Sequence, residues 1–102
     1  MPLKGAFAKG SPITILVASS PFAPTGLTII KINQRGGMNA RSLTFAPGQS
    51  ADFTELLGQR IVRMILLVTP PVGGAANVAV VQGTTQYADQ LTGDAELVFD
   101  AV

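Results

Sequence analysis

The side chains able to carry chemistry in this chain are few, and two kinds are missing. Among its 102 residues there is no histidine and no cysteine. Without histidine the commonest general base and the commonest metal ligand are gone. Without cysteine, disulfides and thiolate metal sites are excluded. Ser11, Ser19, Ser20, Ser42 and Ser50 remain as hydroxyl nucleophiles, but a serine needs a base to activate it. Only a lysine such as Lys9 or Lys31 could serve, and no G-x-S-x-G elbow surrounds any of these serines.

Carboxylates offer more. Asp52 with Glu55, or Asp89 with Asp94, could form an acid–base pair of the kind that cleaves glycosides. Asp52 and Glu55 also sit where acids favour a helix N-terminus, which is the simpler use of them. Asp89, Asp94 and Glu96 lie around a turn and could supply oxygens to calcium, which takes about six to eight; their spacing is not that of an EF-hand. Tyr87 with Asp89 and Gln90 is the cluster best suited to a sugar, in a chain with one tyrosine and no tryptophan. Lys31, Arg35 and Arg41 flank Gly36, Gly37 and Asn39, a possible phosphate-contacting tip. A net charge of +1 and 6% aromatics argue against nucleic acid, which calls for a basic stripe with stacking rings. The glycines of VGGAAN lack a following G-K-[ST]. No catalytic, metal or cofactor motif stands out, and a non-catalytic protein without a cofactor is expected.

The elements that must carry these residues read as short strands. PITILVA, 12–18, is β-branched, with Pro12 suited to a strand start. LTIIKINQ, 27–34, and RSLTF, 41–45, flank the RGGMN turn and predict a hairpin. Ser50 or Asp52 as a cap, with Gly58 as a plausible stop, predicts a short helical turn near 52–57. The apolar run from Ile61 to Val68, broken by Arg63, fits either one helix over 52–68 or a strand over 60–69. Its β-branched content and Gly58 favour the strand. Apolar residues then fall on both of its faces, as in a strand buried on both sides. ANVAVVQG, 76–83, is a strand; TTQYADQL, 84–91, is a weak one; AELVFDAV, 95–102, alternates most cleanly. The sum is an all-β domain, an antiparallel β-sandwich or compact barrel of six to seven strands over 12–102, preceded by a flexible arm at 1–11. Ile15, Ile29, Leu43, Phe45, Ile61, Ile65, Val80, Leu97 and Phe99 are the expected core.

Composition then points to function. Charged residues make up 13% of the chain and hydrophobic ones 47%, against about 25% charged in an average soluble protein. With so little charge, either Gly, Ser, Thr, Asn, Gln and Ala coat a neutral β domain, or part of the surface is covered by copies of the chain or by a protein partner. The charges are also segregated. Lys4, Lys9, Lys31, Arg35 and Arg41 leave residues 1–51 at +5, and six acids against Arg60 and Arg63 leave the rest at −4. Either the two halves pair within the fold or a basic face meets an acidic face of a neighbour. Candidate contact residues are Phe22, Met38, Val98, Asp100 and Val102, with the arm. No apolar stretch reaches the 18 or more residues of a membrane span. The expected role is a self-assembling structural or interaction protein, with a calcium- or carbohydrate-binding module as the alternative.

Overall fold

The computed structural model describes residues 3–8, 12–18, 25–46, 49–56, 58–70 and 75–101. Nine strands run through them: β1 (Leu3–Phe7), β2 (Pro12–Ala18), β3 (Thr25–Asn33), β4 (Met38–Phe45), β5 (Ser50–Leu56), β6 (Ile61–Thr69), β7 (Ala76–Gln82), β8 (Thr85–Leu91) and β9 (Ala95–Ala101). They form a five-stranded sheet, in the order β1-β9-β6-β3-β4, and a four-stranded sheet, in the order β5-β2-β7-β8. The two pack as a β-sandwich.

The hydrophobic alternation builds the interior. Ile13, Ile15 and Val17 of β2 and Val78 and Val80 of β7 face Leu27 and Ile29 of β3, Met64, Leu66 and Val68 of β6, and Leu97 and Phe99 of β9. Burying each of these fully contributes roughly 1.5–3 kcal/mol. Of the expected core, Ile15, Ile29, Phe45, Val80, Leu97 and Phe99 lie in this cluster, with Leu43 and Ile61 packed half-buried against it. Ile65 is buried but stands outside the cluster.

Three expectations need correction. There are nine strands rather than six to seven, because β1 and β5 were not expected and the weak segment at 84–91 forms β8. The helical turn near 52–57 is instead strand β5, paired antiparallel with all of β2 from Pro12↔Leu56 to Ala18↔Ser50. A strand that completes a sheet edge gains a whole ladder of hydrogen bonds, whereas a single helical turn is too short to hold itself. Residues 3–7, placed in a flexible arm, form β1, which pairs parallel with β9. Its anchor is Phe7, only 2% exposed, packed against Phe99 with tilted rings whose centroids are 5.3 Å apart. Just beyond, Gln82 accepts from the Ala8 backbone N–H at 2.7 Å and donates to the Ala8 carbonyl at 3.0 Å.

The β3–β4 hairpin is closed by one asparagine. Asn33 Oδ1 accepts the N–H groups of Arg35 and Gly37, each at 2.9 Å. Gly36 takes the left-handed conformation, φ 84°, that a side chain would resist. Across the sandwich, Glu55 of β5 reaches from the four-stranded sheet to Lys31 of β3, at 3.1 Å, and to Arg41 of β4. Glu55 is 6% exposed, so these cations replace the hydration of its carboxylate. The basic first half and acidic second half thus meet inside the fold at this point.

Removing one partner of a buried charged contact leaves the others unmatched. Glu55→Ala is expected to destabilise the fold by about 1–3 kcal/mol, less than a fully enclosed ion pair because Arg41 is half-exposed. Urea unfolding followed by circular dichroism measures this; a midpoint unchanged from the parent chain contradicts it.

Candidate functional site

In a two-layer sandwich each sheet has one face on the core and one turned away. The outward face of the five-stranded sheet is where this chain is unusual. Register places its side chains in rows. One row runs Ala40, Ile30, Ile65, Val98 across β4, β3, β6 and β9. The next runs Met38, Ile32, Arg63, Asp100, Ala6, ending on β1. The third runs Ser42, Thr28, Leu67, Glu96, with the Thr28 and Ser42 hydroxyls 3.1 Å apart. At the centre, where antiparallel sheets usually turn polar, the side chains are isoleucine, leucine and valine.

Exposure grades across this face. Ile65 and Val98 are 7% and 2% exposed although they point away from the core, hemmed in by their neighbours. Ile30, Ile32 and Leu67 are half-buried. Met38, the first residue of β4, is 72% exposed, more than any other large hydrophobic side chain described. Among the described side chains that the strands place on this face, the charges are Arg63, Asp100 and Glu96. Arg63 Nε donates to Asp100 Oδ1 at 2.7 Å. That hydrogen bond, reinforced by the opposite charge, raises the already high Arg63 pKa further. The pair lines an open hollow together with Ile32, Val62 and Ala101.

Three of the expected contact residues therefore share one surface: Met38, Val98 and Asp100. Val98 differs from expectation in being covered within the single chain. Phe22 and Val102 lie outside the described residues. Ile30, Ile32 and Leu67 were not anticipated. Their signal was present, since LTIIKI in β3 and the run in β6 are apolar at successive positions and so on both faces.

The candidate ligand residues do not converge. Tyr87 and Asp89 face the same side of edge strand β8, and the Tyr87 hydroxyl donates to Asp89 Oδ2 at 2.9 Å. Asp89 Oδ1 accepts the Gln90 backbone N–H at 2.8 Å. Asp94 and Glu96 instead line a hollow with Leu67, Val68 and Thr69 beside the other sheet. Among the described residues no three acidic groups gather closely enough to hold a metal ion. The tyrosine is chiefly a packing residue, its ring edge-on to Phe99 at a centroid distance of 5.5 Å. On the four-stranded sheet, Leu16, Ala79 and Ala88 line a shallow open hollow of about 400 Å³ with Asn77 and Asp89 among its walls. Among the described residues no helix is long and apolar enough to cross a membrane.

Comparison with known protein families, with curated proteins and with solved structures gives no match.

Burial, then the hydrogen bond to Asp89 and its charge, push the Tyr87 pKa from 10.0 up to about 12. The folded chain holds this proton more tightly than the unfolded one, so stability is full below about pH 10 and falls as pH rises towards 12. With one tyrosine and no tryptophan, ultraviolet absorbance of tyrosinate reads this site alone. The titration midpoint is expected near 12 and lower in Asp89→Asn; equal midpoints in the two chains would remove Asp89 from the account.

Proposed function

We propose that this protein is a non-catalytic structural protein that works by contact with protein surfaces and assembles with copies of itself. Suitable settings are a subunit of a surface or viral assembly, or a small accessory module. One observation carries this: β6, the central strand of the five-stranded sheet, and its neighbour β3 present Ile30, Ile32, Ile65 and Leu67 on the face that the sandwich leaves uncovered. An apolar sheet face flanked by polar residues marks a contact surface.

Composition supports the same role. A chain with 13% charged residues has few ionic groups for its outside, and some of them are used within the fold at Glu55, Lys31 and Arg41. The alternative, a calcium- or carbohydrate-binding module, has less behind it. Its acids are divided among β8, the β8–β9 connection and β9, and Tyr87 is committed to Phe99 and Asp89.

Light scattering at micromolar concentration is expected to give at least twice the 10.5 kDa chain mass. Ile32→Lys should shift that mass towards the single chain while the thermal melt stays close to the parent, because Ile32 does not belong to the core cluster. A single-chain mass for the parent at all accessible concentrations would refute self-assembly. A melt raised by added calcium would favour the ligand-binding alternative.

A further inference from the structure

Resting on that self-association, we propose that two copies pack face to face through the outer surfaces of their five-stranded sheets, about a two-fold axis parallel to the strands and midway between β6 and β9. Sheets that pack on one another keep their strands within about 30° of alignment, and an axis along the strands satisfies this. A two-fold contact must also be complementary to itself, and here the pattern of charges selects among the axes.

Arg63 on β6 and Asp100 on β9 stand side by side in one row, with Ile65 and Val98 side by side in the next. An axis between β6 and β9 lays β6 of one copy over β9 of the other. It sets Arg63 over the partner subunit's Asp100, and Asp100 over the partner subunit's Arg63. With each pair already joined at 2.7 Å within its own chain, the result is a square of alternating charge. The same operation lays Ile65 over the partner subunit's Val98, and Ile32 over the partner subunit's Ala6, a small side chain that leaves room. Met38, at the far edge on β4, falls just past the partner's β1 edge. Leu67 meets the partner subunit's Glu96, which is exposed and can turn its carboxylate to water.

Two other axes fail on charge. One running along β6 itself stacks Arg63 on the partner subunit's Arg63. One running across the strands through the Ile65 row stacks Asp100 on the partner subunit's Glu96. Like charges set opposite each other across an interface are strongly unfavourable.

Mixed charge variants test the arrangement. Arg63→Glu places two acids in the row and Asp100→Lys places two cations there. Each alone is expected to dimerise at least about tenfold more weakly than the parent chain, by light scattering. Mixed in equal amounts, they should recover dimer, and added salt should weaken that mixed dimer. Repair of the contact within a single chain cannot explain recovery on mixing, because neither chain regains its own opposite pair. As a check that does not alter charge in this way, an Arg63→Cys chain and an Asp100→Cys chain, in a protein with no other cysteine, should be joined by a short bis-maleimide more efficiently together than either is with itself. A parent chain that stays single overturns self-association and this arrangement together. A dimeric parent whose charge variants each dimerise as well alone, or fail to recover on mixing, or whose cysteine chains show no preference for each other, overturns the arrangement and leaves self-association standing.

Discussion

A sheet in a two-layer sandwich can bury only one of its faces in the partner sheet, and the rest of this structure follows from how the chain meets that limit. β6 is the clearest case. Met64, Leu66 and Val68 fill the interior, while Ile65 and Leu67 on the alternate positions turn outward. Its neighbours β3 and β9 do the same with Ile30, Ile32 and Val98. The outward side chains shelter one another enough to bury Ile65 and Val98 within one chain, but Met38 and the half-buried isoleucines keep apolar surface in water.

Ionic contacts are placed where they complete this design. Glu55 is the buried acid of the described residues, and its two cations come from the facing sheet. The contact joins the β5 edge to the β3–β4 side of the sandwich. A buried carboxylate is tolerated when it is matched in this way, and costly when it is not. Arg63 and Asp100 make a second pair, on the outward face, where they neutralise each other amid apolar side chains. The charge segregation along the chain is therefore partly consumed inside one copy. On the outward face of the five-stranded sheet the pair leaves Glu96 as the remaining charge among the described strand residues.

The places where sequence and structure diverge have physical causes. SADFTEL carries acids and a serine at positions that suit a helix start, yet it forms β5 because β2 offers a full antiparallel partner. The segment LKGAF has two residues of weak strand preference, Lys4 and Gly5, yet it forms β1 because β9 has an open edge and Phe99 offers Phe7 a ring to pack against. Local preference decides little when a long-range ladder is available. Asp89 and Glu96 are close in sequence but lie on different sheets, with Asp94 in the connection between them, so their proximity along the chain did not become a site.

By itself the sequence determined that the fold is all-β, that most of the chosen core positions point inward, and that histidine and cysteine chemistry is absent. Those properties depend on period-two alternation and on composition, which are local or global sums. Only the tertiary structure decided that the two-sided run of β6 lies in a sheet covered on one face, that Arg63 stands beside Asp100, and that Met38, Ile32 and Val98 share a surface. These depend on which strands become neighbours and in what register, and contacts between residues far apart in the chain leave no trace in the pattern of either strand alone.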